Sequence, residues 1–513
     1  MKRVVIIGAG PAGITAGYEL MKKKGYKVTI LEAENSIGGL AKAVLHANNR
    51  LDIGGHRFFT KNWKVNLWWL KLFPIQARPA YDYYKTQRKL NLPETGPSPH
   101  LDDIVMLKRQ RFSHIIDGNK NYPYPMRFNS RTILNIGIKN TFKALSDYLK
   151  IRLKPLEQNS LEDFYINRFG NFLYRKFLES YLEKILGKHP KDLSADMGAQ
   201  KIKGLTLGRI IKNSFYRTFH LKCYTEPSLA REFYYPKFGP GHFWETVASK
   251  ITSSGGKLVR NAKVVEIKLT EDGNVDEVGY KLNGELFYVK ADAVISTMPL
   301  KDLVMCLPDV PEDICQIAKD LPFRDMVTIG MMVKKLKLRN TTSIKTLNNI
   351  IPDTWLYIRN PETKLSRVQI YNNWSPYLLR DPKKNVWLGL EYFCQDGDDY
   401  WKLNKQQWRN VAVKDLLDSG ILANKKDVLT YCVKKISHAI PLYCGSYNQL
   451  DKLLEYLDSI GNLYSIGRNG QHRNNTTDHS ILTAFAAVKH ITGRNDDKKR
   501  IRQINNAAYA DKK

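Results

Sequence analysis

Three glycines and one acid near the start of the chain carry a recognisable chemistry. Gly8, Gly10 and Gly13 stand in Gly8-Ala9-Gly10-Pro11-Ala12-Gly13, the G-x-G-x-x-G spacing, and Glu32 follows 19 residues after Gly13. Gly8 allows a tight turn. Gly10 lets backbone N–H groups approach a pyrophosphate, and Gly13 lets a helix pack close to a strand. An acid at the distance of Glu32 accepts hydrogen bonds from a ribose. The elements that must position these residues are legible around them. Val4-Val5-Ile6-Ile7 is an uncharged, β-branched run, as a buried parallel strand should be. Ile14 to Met21 is a helical stretch whose N-terminus adds partial positive charge where phosphates lie. Val28-Thr29-Ile30-Leu31 is a second strand, with Glu32 at its end.

Two further segments go beyond what a nicotinamide domain needs. Gly38-Gly39 brings more backbone N–H groups to the same diphosphate, and Leu51-Asp52-Ile53-Gly54-Gly55-His56-Arg57 brings backbone close to a flat ligand. Together they resemble the flavoprotein superfamily of amine oxidases, protoporphyrinogen oxidases, polyene desaturases and UDP-galactopyranose mutases. The resemblance implies FAD bound in an extended conformation, its isoalloxazine near Gly54, Gly55 and His56. It further implies that Val264 and Gly467 line the cofactor and that Arg468 approaches the pyrophosphate as a bidentate donor.

Composition bounds the remainder. A chain of 513 residues is too long for one core, so two or three domains are expected. No run approaches the ~18 apolar residues of a membrane span. The first strand begins at once, which leaves no room for a signal peptide. The six cysteines have no metal spacing and read as reduced thiols of a cytoplasmic protein, and no metal cluster stands out. The formal net charge is +31. The basic residues are spread along the chain without a nucleic-acid-binding motif, so no nucleic acid is expected. A solvated lysine-rich surface accounts for the charge; its functional use would be peripheral contact with an anionic membrane.

The fold class expected is α/β, α+β overall: a discontinuous Rossmann-like FAD-binding domain with an inserted helical lobe and an antiparallel-sheet substrate domain. Residues 1–60, 235–300 and 455–495 are assigned to the FAD-binding domain, 61–234 to a hairpin plus helical lobe, 301–454 to the substrate domain and 496–513 to a polar, basic, disordered tail. Arg109, Arg111 and Asn121 to Pro125 read as one hairpin. Asp478 reads as the N-cap of the closing helix.

Four segments narrow the resemblance: Asn121 to Pro125; Arg168-Phe169-Gly170 with Phe177 to Tyr181; Tyr235 to Gly241; and Gly467-Arg468-Asn469-Gly470 with Asp478-His479-Ser480. In this order they resemble UDP-galactopyranose mutase, especially its eukaryotic form. That likeness implies chemistry on the flavin without net redox change and a small-molecule substrate that carries phosphate. It gives Arg367 a diphosphate-binding and catalytic role, Arg111 a place near the flavin pocket, His56 a flavin-facing catalytic role, and Lys201 the position of a second diphosphate arginine. Trp374 occupies the place of a substrate tyrosine. Ile440 and Asn474 stand where two more tyrosines are expected, and Leu186 where the family has a tryptophan. The missing hydroxyls leave a second reading open, an FAD oxidoreductase that takes hydride from a C–N or C–C bond. A third is a flavin-binding membrane-surface partner without turnover.

Overall fold

In the computed structural model, residues 1–118, 120–124, 130–201, 206, 208, 232–493 and 498–506 are described. The uncharged run at the start becomes the middle of a five-stranded parallel sheet. Its order is Leu463–Ser465, Ala293–Ser296, Lys2–Ile7, Tyr26–Leu31 and Lys257–Val259. The side chains of the first strand alternate between two cores, as a pleated strand buried on both faces requires. Val4 and Ile6 pack against the helices Pro11–Met21, Pro240–Ser253 and Thr477–Ile491 through Ile14, Phe243, Ile251 and Ile481. Val5 and Ile7 join the opposite core with Val264, Ile267 and Val278, from a three-stranded antiparallel sheet. The cofactor fold is therefore discontinuous in sequence.

A seven-stranded sheet faces it. Its order is Val428–Pro441, Phe323–Val333, Val386–Cys394, Leu365–Ile370, Trp355–Ile358, Ser113–Asp117 and Lys120–Pro123. Every neighbouring pair is antiparallel except Trp355–Ile358 with Ser113–Asp117. The hairpin that sequence placed in the first insertion thus completes the sheet of the second. Arg109 is not part of that hairpin, because Met106–Gln110 pairs with Glu232–Pro236 in a separate two-stranded sheet. Six α-helices between Ser130 and Lys201 form the helical lobe.

Two further expectations are corrected. Residues 498–506 of the basic tail are docked: Ile501 is buried, and Lys498 Nζ donates to the carbonyls of Asp458 and Ile460. The closing helix is capped by Thr476 in a capping box with His479, and Asp478 instead accepts from the Thr60 hydroxyl at 2.7 Å.

A buried ion pair fastens the two-stranded sheet to the helix Tyr81–Thr86, and the same guanidinium reaches the short helix Tyr371–Trp374 that follows a strand of the large sheet. Arg109 donates to Asp82 at 3.0 and 2.6 Å and twice to the Asn373 carbonyl, at 3.1 and 2.8 Å. Burial opposes the Arg109 charge, but Asp82 more than offsets it and raises its pKa above the ordinary value. Arg109→Ala leaves the Asp82 carboxylate buried and unpaired, so stability to urea should fall by about 3–5 kcal/mol. An unfolding midpoint equal to wild type would show that the pair fastens nothing.

Candidate active site

The first strand ends at a turn that only glycine fits. Gly8 has φ +99°, and a Cβ there would lie 2.2 Å from the Thr297 hydroxyl. A Cβ on Gly13 would lie 2.0 Å from the Gly8 carbonyl, so the helix from Pro11 can approach the strand only without one. Its first turn carries no acid, which leaves the positive end of the dipole uncompensated. The second glycine pair folds back onto this turn: Gly38 N–H donates to the Ala9 carbonyl at 2.8 Å, and a Cβ on Gly39 would sit 3.1 Å from the Gly10 Cα.

Glu32 ends the second strand with its carboxylate turned back to the same turn. It accepts from the N–H groups of Ala9 at 2.7 Å and Glu34 at 2.9 Å. Burial raises its pKa against the pull of those two donors. Val264 is buried in the core that also holds Leu31 and Ile53. Gly467, with φ +81°, packs its α-carbon against Ala12, where a Cβ would approach to 2.9 Å. Two glycine loops, a helix N-terminus and a ribose-length acid thus form a side-chain-free cradle for an extended diphosphate.

The next loop carries the residues that the resemblance sets beside a flavin. Asp52 is buried and accepts from Gly54 N–H at 3.3 Å, His56 N–H at 2.8 Å and the Tyr235 hydroxyl at 3.1 Å, while His56 Nδ1 lies 2.7 Å away. Gly55, at φ +60°, rests on the large sheet, where a Cβ would meet Trp355 at 2.7 Å and Gln369 at 2.8 Å. This contact places the residue after His56 among cations. The Arg57 guanidinium lies 4.7 Å from the Trp355 ring centre, and that of Arg367 lies 5.3 Å from it. Arg111 lies 5.5 Å from the Tyr124 ring, which packs 4.4 Å from Tyr357.

The three guanidinium groups are held differently. Arg367 donates to Glu391 through Nε and Nη2, and Gln369 donates to the other oxygen of that carboxylate. Burial works against the Arg367 charge, but Glu391, Tyr181 and Tyr357 more than offset it and raise its pKa. Arg57 has no hydrogen-bond or carboxylate partner among the described residues. Burial, then Arg111 and Arg367, push it down to about 9. Beside this cluster, the Tyr181 hydroxyl, Trp355 Nε1 and Gln369 Oε1 are buried without hydrogen-bond partners among the described residues. Such groups are expected to meet a ligand or water.

A profile of flavin containing amine oxidoreductases matches residues 11–377, well over half the chain. The chain belongs to that family. This flavoenzyme has FAD as its cofactor, and the cradle fits it. Among solved structures it is similar to reduced UDP-galactopyranose mutase, with 21% identity and a TM-score of 0.74 over 98% of this chain and 99% of that one. A putative protoporphyrinogen oxidase from Exiguobacterium sp. 255-15 is similar at 15% identity and a TM-score of 0.63, covering 96% of this chain and 98% of that one. At such identities the likeness shows the fold. Among curated proteins, an inactive all-trans-retinol 13,14-reductase of Danio rerio is 23% identical over 57% of this chain. The match spans 46% of that relative, and a 1-hydroxycarotenoid 3,4-desaturase of a Flavobacterium is matched over 10% of its length, so the chain spans less than half of these relatives.

Several expected site residues of the flavoenzyme stand elsewhere. Trp374 is fully buried, donates from Nε1 to the Thr354 carbonyl at 2.8 Å and packs behind Trp355, so it supports the site without lining it. Arg468 donates from Nε and Nη2 to the Ala439 carbonyl and from Nη1 to that of Asn475. Three of its donors thus tie backbone together, which replaces the expected bidentate grip on a pyrophosphate. Lys201 ends the helix Asp196–Lys201, and its side chain lies outside the described residues. His472, four residues beyond Arg468 and not among the expected site residues, is buried between Phe323 and Tyr447, and burial lowers its pKa to about 4, so it is a neutral packing residue at physiological pH. Sequence reading missed Arg57, Glu391 and the anchoring role of Asp52. The signal for Glu391 was a lone acid in the otherwise uncharged strand Val386–Cys394.

The purified flavoenzyme should be yellow with one FAD per chain. Gly10→Val would fill the space between the two glycine loops, and the variant should be colourless and folded. Full flavin occupancy in that variant would refute the cradle.

Proposed function

We propose that this flavoenzyme acts on a phosphate-bearing small molecule of the sugar-nucleotide class, in a mutase-like reaction of cell-surface glycan biosynthesis. The observation that carries it is the gathering of Arg57, Arg111 and Arg367 beside the loop of Gly54, Gly55 and His56. Guanidinium groups match phosphate oxygens in planar, two-pronged geometry. Arg57 is a cation beside two others, a costly arrangement that an anion relieves. Bound FAD would supply the reacting ring, and the protein would orient the sugar against it. His56, fixed through Nδ1 on Asp52, presents a defined tautomer there.

A second reading is kept alive by one observation. Trp374 and Ile440 are buried, and Asn474 is buried with its N–H on the Tyr443 hydroxyl. The tyrosine hydroxyls that a mutase-like pose would use are therefore not supplied from these three positions. Oxidation of a C–N or C–C bond of an anionic substrate fits that arrangement. A shift of flavin absorbance on adding UDP favours the first reading, and dye reduction by a substrate without any response to UDP favours the second.

Arg57 separates anion binding from structure better than Arg367 does. Arg57→Ala should weaken binding of UDP by about 1.5–3 kcal/mol, the range for a bond to a charged group. It bares no buried acid, so the melting temperature without ligand should be unchanged or higher. Arg367→Ala should lose both affinity and stability, because Glu391 is left buried and alone. Calorimetric titration and melting curves of both variants check this. Wild-type affinity in Arg57→Ala would contradict the proposed site.

A further inference from the structure

The helix Ile138–Leu153 of the helical lobe turns an apolar stripe outward. Ile138, Phe142, Leu145, Leu149 and Leu153 are between 43% and 88% exposed. At 3.6 residues per turn these five positions fall within an arc of about 80°. The helix is held to the lobe by its other face: Ala144 and Tyr148 are buried in the core with Phe169 and Leu173, and Asp147 accepts from Phe172 N–H at 2.7 Å. The stripe is therefore not an unfinished core contact of that side.

Its flanks are cationic. Lys139, Lys143 and Lys150 lie along one border of the stripe and Arg152 along the other, and all four are exposed. Lys143 lies 5.5 Å from the Phe172 ring. Lys139, Lys150 and Arg152 make no ion pair among the described residues. The only acid of the helix is Asp147, already bonded to Phe172. At 16 residues the helix is shorter than a span, and no helix among the described residues is long and apolar enough to cross a membrane. A row of large apolar side chains bordered by unpaired cations, in a chain of net charge +31, complements the headgroup and upper acyl region of an anionic bilayer.

We propose that this helix docks the protein, in the plane of the interface, on anionic lipid. The apolar stripe enters the headgroup boundary and the flanking lysines meet lipid phosphates. Neither chemistry suffices singly: the lysines without the stripe give a contact that salt removes entirely, and the stripe without the lysines gives one indifferent to lipid charge.

The experiment is co-sedimentation of the FAD-loaded full chain with vesicles of phosphatidylcholine, with or without phosphatidylglycerol. The expected result is binding at least tenfold stronger when phosphatidylglycerol is present. Phe142→Glu combined with Leu149→Glu should reduce it at least tenfold, and Lys143→Glu combined with Lys150→Glu should remove the preference for the anionic vesicle. Flavin content and melting temperature check that the exposed substitutions leave the fold intact. Leu145→Gln with Leu153→Gln serves as a second, milder pair and should also weaken binding. Undiminished vesicle binding by the glutamate pair would overturn the proposal. So would equal binding to both vesicles, or a wild-type dimer in gel filtration that the glutamate pair converts to monomer, since a second copy would then cover the stripe.

Discussion

The site depends on where one buried carboxylate finds its donors. Asp52 lies inside the protein, where an unpaired charge would cost several kcal/mol. Its side chain takes hydrogen bonds from Gly54 and His56 of its own loop and from Tyr235 of the two-stranded sheet, and its backbone carbonyl takes one from Tyr371 at the end of a large-sheet strand. These donors come from three parts of the chain. The loop between the cofactor cradle and the large sheet is therefore fixed by an electrostatic requirement as well as by the burial of Leu51 and Ile53. The Thr328 hydroxyl adds a bond to the Ile53 carbonyl at 2.7 Å. Once that loop is fixed, His56 has one tautomer available for its Asp52 contact and Arg57 has one direction to go.

That direction sets up a charge imbalance. Arg367 is met by the carboxylate of Glu391, which Gln369 also engages, whereas Arg57 has no carboxylate partner among the described residues. Aromatic faces take part of the load: Trp355 lies under both Arg57 and Arg367, and Phe393 lies 5.5 Å from Arg367. Such contacts contribute roughly 0.5–2 kcal/mol each and do not neutralise charge. The protein thus holds positive potential in place beside the loop of Gly54, Gly55 and His56, and it does so with groups already ordered before a ligand arrives. Preorganisation of this kind spares the ordering cost that a flexible lysine would incur on binding.

How much of this could be read in the sequence follows from which requirements are local. The cradle was legible because Gly8, Gly13 and Gly39 answer backbone demands that no other residue meets, and because strand, turn, helix and acid recur at fixed spacing. The mixed fold with its discontinuous cofactor sheet was legible for the same reason. The strand Val428–Pro441 was not, because it lies at the edge of the large sheet and its Lys434, Lys435 and His438 break the apolar pattern of a buried strand. The placement of Trp374 was not legible either: a buried tryptophan and a substrate platform have the same local sequence, and only packing against Phe233, Tyr235 and Trp355 distinguishes them. Arg367 was found by resemblance, but its partner was set by cross-strand register, which pairs it with Glu391. Arg57 was overlooked beside His56, since its role appears only when the loop is laid on Trp355.

The most direct measurement is a crystal structure of the FAD-loaded, reduced flavoenzyme with UDP bound. Diphosphate oxygens should lie within hydrogen-bond distance of Arg57 and Arg367, with Asp52 still holding His56 and Arg367 still on Glu391. UDP bound away from these guanidinium groups, or Arg57 turned to solvent with its side of Trp355 covered by protein, would contradict this placement.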